Sequence, residues 1–441
     1  MYGLSVSSNS GRVIACAPKY AKVFDHREER DEIQSIMGRC ELYHEATESA
    51  GLLIRTTKEN SKDFSRIGSS IENPVKDIKN ANYKERRATF HLAKSEFGSS
   101  ALLSDEEYLL GGPGAFAWSG SMIQKPFNST SATTPICPFE STNEKEEKKE
   151  KGKYQFCSEI NHMKDSYGGT SIAILKNLKG YSNDHIYAMG LPGENKFGAV
   201  RFYRREGTNL VEIVELHINA RNVFFDKLKE ESGLASSFGY SMAVMDINND
   251  GYDDLVVGAP QYFKSRDGFE VGGAVFVFLS GNKNAAGFST IEMMKGTGGS
   301  AFGLSVTSLG DANRDGYDDF AVGAPYQKNK NSTGAVYIYN GESNWKPVPS
   351  QVIMDFQDVE NLGMSLQGDV DVDNNKHPDL IIGAKDKVVV VRTKPVISIE
   401  STIELFDKND KRISAVSASA SDICREDGVE YGCFNVKICF Q

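Results

Sequence analysis

The sequence predicts an all-β chain, with a β-propeller over residues 1–394 followed by the opening strands of a second β domain over 395–441. Three observations predict it. A phrase built of an apolar strand, Gly-Ala-Pro and a second strand led by Gly-Ala-Val returns along the chain. Each late copy follows a Phe-Gly-x-Ser strand, or its Leu-Gly-x-Ser variant. Between those two strands, three of the copies carry a loop with Asp or Asn at alternate positions.

The repeat is the primary signal, because a fixed period decides the architecture before any single element does. It reads Leu255-Val256-Val257-Gly258-Ala259-Pro260, then Phe320-Ala321-Val322-Gly323-Ala324-Pro325, then Leu380-Ile381-Ile382-Gly383-Ala384-Lys385. The strands ahead of these copies are Phe238-Gly239-Tyr240-Ser241, Phe302-Gly303-Leu304-Ser305 and Leu362-Gly363-Met364-Ser365. They stand about 60 to 65 residues apart, room for the short strands of one four-stranded blade. Looser copies at Val13–Pro18, Leu109–Pro113 and Tyr187–Pro192 bring the count to six. A single blade cannot bury both of its faces, so the copies are expected to pack radially.

Composition agrees. Gly is frequent, at 41 of 441, and Pro scarce, at 13, as in a chain of strands and tight turns. The formal charge of −10 leaves no basic footprint for nucleic acid. Residues 44–95 and 125–153 interrupt the rhythm, and the run Glu144–Lys151 reads as a solvated loop. Thr393-Lys394-Pro395 reads as a domain boundary, beyond which Ile403-Glu404-Leu405-Phe406 alternates like a strand.

Seven Cys, at 16, 40, 137, 157, 424, 433 and 439, fall as two pairs and a terminal group of three, without zinc or redox spacing. With the sequons at Asn128 and Asn331, candidate glycan acceptors, they favour an oxidising compartment. The start, Met1-Tyr2-Gly3-Leu4-Ser5, has no signal-peptide pattern, and no run of 18 apolar residues occurs. A piece of a longer precursor is the expectation.

The most specific chemistry lies in the three loops. Oxygen donors occupy positions 1, 3, 5 and 9: Asp246, Asn248, Asp250 and Asp254 in the first loop; Asp311, Asn313, Asp315 and Asp319 in the second; Asp371, Asp373, Asn375 and Asp379 in the third. Position 7, which is Tyr252, Tyr317 or His377, is free to offer its backbone carbonyl. Ca²⁺ takes about six to eight oxygens in forgiving geometry, and a loop with alternate side-chain oxygens wraps such an ion. Mg²⁺ fits poorly because it keeps its waters and demands an octahedron. Gly251 and Gly316 at position 6 permit the positive φ that turns the chain around the metal. Lys376 stands there in the third loop, at a cost of about 1 kcal/mol, so three calcium sites are expected with the third weakest. Asp, Asn and Gly also make plain turns. Three loops in register at the same place in three repeats argue against that, and the ions are expected to be structural.

These residues resemble the integrin α-subunit propeller. The resemblance runs from Tyr2 to about Ile397 and includes Leu109-Leu110-Gly111-Gly112-Pro113-Gly114-Ala115-Phe116-Ala117-Trp118-Ser119-Gly120. It implies a seven-bladed-type propeller of which six blades are present, the chain opening inside the family's second blade. It implies an Ig-like thigh domain beginning near residue 395, since Arg392–Ile397 and Cys424–Phe440 look like that domain's approach and opening. It further implies the disulfides Cys16–Cys40, Cys137–Cys157 and Cys424–Cys433, with Cys439 pairing beyond Gln441.

By the same resemblance the partner is an integrin β subunit, met through Trp118, Tyr167 and Tyr240, which as aromatics beside strands can equally be core. The ligand is an extracellular-matrix protein, read without an inserted metal-dependent domain. Localisation is the cell surface, as a single-pass type I membrane protein whose span lies outside this sequence. Lys164-Asp165-Ser166-Tyr167 keeps one of two aspartates that receive the Arg of Arg-Gly-Asp ligands, so Asp165 is the candidate ligand residue. The missing calcium loop in that blade points instead to laminin, and the choice stays open.

An enzyme is the rival class, because secreted phospholipases carry similar propellers; a soluble lectin-like propeller is another. No nucleophile elbow, phosphate loop or HExxH occurs. Gly296-Thr297-Gly298-Gly299 is read as a turn opening a strand, without the third glycine of a dinucleotide loop. A non-enzyme is expected.

Overall fold

The structure, a computed structural model, describes residues 5–9, 12–19, 21–24, 33–36, 38–44, 95–127, 165–181, 184–207, 209–228, 233–266, 269–281, 287–330, 332–394, 401–406, 412–413, 423–426, 429–432 and 435–440. Cys137, Cys157, Cys433, Asn128 and Asn331 lie outside the described residues.

The regular elements among the described residues are nearly all strands, with only short helical turns beside them, and the chain divides into two compact units, Met1–Thr393 and Lys394–Gln441. The first unit is a propeller of antiparallel sheets. Sheet I pairs Ser5–Asn9, Arg12–Ala17 and Arg39–His44; sheet II pairs Ser100–Leu103, Glu107–Gly112 and Ser121–Pro126. Sheet III holds Ser171–Leu175, Ile186–Leu191, Ala199–Glu206 and Asn209–Glu212, with Ile218–Asn219 on the third of these. Sheet IV runs Ser241–Met245, Asp254–Arg266, Phe269–Leu279 and Thr290–Thr297. Sheet V runs Val306–Gly310, Asp319–Lys328, Thr333–Tyr339 and Gln351–Met354, and sheet VI Ser365–Val370, Asp379–Ala384 and Lys387–Val391. In the second unit Ser401–Phe406 lies between Arg412–Ile413 and Asn435–Phe440, and Ile423–Glu426 pairs with Val429–Gly432.

Parallel bridges Gly120–Gly168, Gly198–Phe238, Gly273–Phe302 and Gly334–Leu362 link sheets II to VI into five successive blades. Sheet I packs on sheet II through Ile14, Cys16, Cys40, Phe97 and Leu110. Apolar cores fill the space between neighbours: Phe202, Phe238, Phe276 and Phe278 between sheets III and IV, and Val256, Val277, Phe320 and Trp345 between IV and V. Alternation explains this, because Val256 and Val257 point to opposite faces of one strand and so enter different cores.

The repeated motif is a device for stacking blades. Its Ser hydroxyl donates to the carbonyl of the motif Gly in the next sheet: Ser100 to Gly169 at 2.8 Å, Ser171 to Gly239 at 2.7 Å, Ser241 to Gly303 at 2.8 Å and Ser305 to Gly363 at 2.8 Å. The glycine of Gly-Ala-Pro leaves room for that carbonyl. A Cβ on Gly258 would lie 2.1 Å from the oxygen of Gly303, so only glycine fits.

Cys16 and Cys40, opposite each other in sheet I, form a disulfide. Gly296-Thr297-Gly298-Gly299 corrects the sequence reading. The run closes the strand Thr290–Thr297 instead of opening one, because Gly299 at φ 69° turns the chain out of the extended ladder.

Candidate metal centre

The three aspartate loops join the first two strands of sheets IV, V and VI, and they share one hydrogen-bond pattern. In the first loop both carboxylate oxygens of Asp246 accept, from the N–H of Asp250 at 3.1 Å and of Gly251 at 2.8 Å. Asn248 accepts from Asp250 N–H at 3.1 Å, and Asp250 from Tyr252 N–H at 3.0 Å. Asp311, Asn313 and Asp315 repeat these bonds in the second loop, and Asp371, Asp373 and Asn375 in the third. Short acidic and amide side chains bonding their own backbone two to five residues on explain why this sequence turns here.

Position 9 behaves differently. Asp254, Asp319 and Asp379 begin strands and are at most 1% exposed. Each accepts from the position-2 N–H of its loop and from a backbone N–H of the adjacent strand end, Ser280, Gly341 or Thr393. Burial pushes the Asp254 carboxyl up to about 8 and that of Asp319 to about 6, against the pull of these donors. Among the described residues no cationic side chain pairs with the aspartates of the first two loops; Arg392 Nε stands 3.8 Å from Asp373 in the third. Crowded carboxylates, part-buried and without a counter-charge, fit a bound cation.

Positive φ occurs at positions 4 and 6 of all three loops: Asn249 and Gly251, Arg314 and Gly316, Asn374 and Lys376. Lys376 adopts φ 68° despite its side chain. Among the described residues it is nevertheless this third loop in which three carboxylates, of Asp371, Asp373 and Asp379, bring oxygens within 4.8 Å of one another. Asp373 supplies the difference, standing where the other loops have Asn. His377 at position 7 is 5% exposed, and its Nδ1 has no hydrogen-bond partner among the described residues.

The sequence reading passed over position 8. Asp253 Oδ2 accepts from the N–H of Lys176 at 2.5 Å and of Asn177 at 2.8 Å, in the corresponding turn of sheet III. Asp318 Oδ2 accepts from Asp246 N–H at 3.1 Å, in the loop of sheet IV. The available signal was the Asp-Asp doublet ending two loops, against Pro378-Asp379 in the third.

A second feature gathers the aromatic candidates. Trp118, Tyr167 and Tyr240, from three sheets, line one open depression of about 400 Å³ together with Pro113, Pro192 and Gln261. Trp118 and Tyr167 rings are 5.9 Å apart, and Tyr167 N–H donates to Trp118 O at 2.9 Å. Trp118, Asp165 and Tyr167 all have positive φ, strain of about 1–2 kcal/mol per residue. Asp165 is exposed beside the rim, its carbonyl packed against Gly193.

Sheet III also carries a buried charge group. Arg201 donates to both oxygens of Glu194 at 2.9 Å, and also to Glu212 at 2.8 Å. His217 Nε2 stands 3.4 Å from Glu194. Burial pushes the Glu194 carboxyl up, but His217 and Arg201 outweigh it and hold the carboxyl below its usual range; burial raises that of Glu212.

Sheets in radial series, clipped by Phe-Gly and Gly-Ala-Pro motifs, define an FG-GAP β-propeller, and the FG-GAP repeat family matches residues 238–278 and 302–339. Curated relatives name the family. Integrin alpha-6 of Gallus gallus is 32% identical over 417 residues, covering 91% of this chain and 34% of the relative. Integrin alpha-7 of Mus musculus is 35% identical over 280 residues, 63% of this chain and 21% of the relative. Integrin alpha-8 of Gallus gallus is 29% identical over 454 residues, 99% of this chain and 37% of the relative. The chain belongs to the integrin α-subunit family. At most, it spans about a third of the length of these relatives.

Proposed function

We propose that this chain forms the extracellular head of an integrin α subunit, six blades of a seven-bladed-type propeller followed by the start of an Ig-like thigh domain. It pairs with an integrin β subunit, binds an extracellular-matrix protein and acts in adhesion rather than catalysis. The observation that carries the reading is the convergence of Trp118, Tyr167 and Tyr240 on one open depression, a patch suited to an amphipathic partner. The relatives named above are integrin α subunits and not enzymes, which supports the same reading.

Calcium is the proposed structural cofactor. Asp246, Asn248, Asp250 and Asp254, with their counterparts in the other two loops, would hold it, and the position-7 carbonyls of Tyr252, Tyr317 and His377 would complete the oxygen shell. The ion would supply the positive charge that the buried carboxylates lack. Asp165, exposed at the rim, is the proposed contact for a basic ligand group. Placement at the cell surface rests on the family, since among the described residues no helix is long and apolar enough to cross a membrane.

Co-expression of the full-length protein with an integrin β subunit tests this. A stable heterodimer is expected, weakened by Tyr240→Ala. A folded α chain that captures no β subunit would sink the receptor reading.

A further inference from the structure

The position-8 aspartates join the calcium loops to their neighbours. Asp318 and Asp246 exchange two hydrogen bonds: Asp246 N–H donates to Asp318 Oδ2 at 3.1 Å, and Asp318 N–H donates to Asp246 O at 3.3 Å. Asp246 is the first donor of its own loop, and its carboxylate is aimed by the bonds from Asp250 and Gly251. Anything that fixes the backbone of Asp246 therefore fixes a ligand of the preceding loop.

The same clip occurs one blade earlier, where it reaches a turn without an aspartate array. Asp253 N–H donates to Asn177 O at 2.9 Å while its carboxylate takes the N–H groups of Lys176 and Asn177. One blade later it is missing. Pro378 has neither the N–H nor the carboxylate, and the second and third loops touch instead through Arg314 Nη2 and Lys376 O at 2.8 Å. Asp318 binds no metal in the alternate-position scheme, so its role is separable from that of the ligands.

We infer that the loops at Asp246–Asp254 and Asp311–Asp319 form one cooperative cation-binding unit, coupled through the carboxylate of Asp318, while the loop at Asp371–Asp379 binds without that coupling. This rests on the calcium reading above. Ordering the second loop with a cation fixes Asp318, and Asp318 then holds Asp246 in its binding position. By linkage, a cation in the first loop favours the second by the same factor.

The test is calorimetric Ca²⁺ titration of the full-length protein, stripped of metal by chelator, with melting followed in parallel. Two sites are expected to fill together and one separately. Asp318→Ala should uncouple them and weaken the first loop about three- to tenfold, the worth of one lost hydrogen bond. Asp318→Asn keeps an acceptor oxygen and should restore the coupling. If Asp318→Ala leaves the isotherm unchanged, or Asp318→Asn behaves like Asp318→Ala, the inference is overturned while the calcium reading stands. A wild-type protein that takes up no Ca²⁺ overturns both. Should Asp318→Ala not fold, Asp315→Ala in the second loop serves: it must weaken the first loop as well as its own, and an unaffected first loop refutes the coupling.

Discussion

The hydroxyl of Ser241 donates to the carbonyl oxygen of Gly303, 2.8 Å away in the next sheet, and Gly258 owes its lack of a side chain to that same oxygen. Three residues from two repeats thus meet at one point, and the sheets can approach no closer. The motif serine and the motif glycines are halves of one contact that recurs around the stack.

Ser241→Ala should therefore cost about 1 kcal/mol, the net worth of one part-buried hydrogen bond. Gly258→Ala places a methyl against backbone that cannot move aside and should cost about 3 kcal/mol, the upper end of what overpacking costs. Denaturant midpoints of the two variants check the order; equal losses would mean that the glycine serves only its own strand.

Position 6 of the aspartate loops isolates backbone strain. A Cβ on Gly251 meets nothing within 4 Å, so Gly251→Ala pays only for its φ of 85°, about 1 kcal/mol. The reverse change, Lys376→Gly, should return about the same amount to the third loop and tighten its hold on Ca²⁺. Thermal melts with and without calcium give both numbers.

Chelation should destabilise the first unit. A cation present at about 100 times its dissociation constant contributes about 2.7 kcal/mol at one site, so EDTA should lower the melting temperature measurably. Asp254→Asn should abolish part of that shift. A melting temperature indifferent to calcium and chelator alike would reduce the loops to ordinary turns.

Acid should act through Glu194. Its carboxyl titrates below its usual range in the folded chain, so its contribution is present above the unfolded pKa of about 4 and is lost as pH falls through the depressed folded value. Glu194→Gln should cost about 3 kcal/mol at neutral pH by removing the carboxylate that pairs with the buried Arg201 guanidinium. It should also flatten the fall in stability between about pH 5 and pH 2, read from melting temperature against pH. A variant with the wild-type slope would place the acid-sensitive group elsewhere.

Much of the propeller was legible because its signals are local. The strand alternation, the Gly-led turns and the aspartate loops all act over two to five residues, within reach of hydrogen bonds such as Asp246 to Gly251. Sequence located the three loops with their Asp and Asn side chains, and even the strained Lys376. It ranked the third loop weakest on that strain, whereas the structure shows that Asp373 also gathers three carboxylates there.

By itself, then, the sequence determined which segments become blades and which side chains are offered as oxygen donors, since both depend on order along the chain. Tertiary structure alone decided what those segments touch. That Ser100 meets Gly169, that Asp318 holds Asp246, and that Trp118, Tyr167 and Tyr240 share one depression follow from radial stacking of the sheets. Partners some 70 residues apart come within about 3 Å only because apolar cores between the blades fix their spacing, and no local pattern encodes that distance.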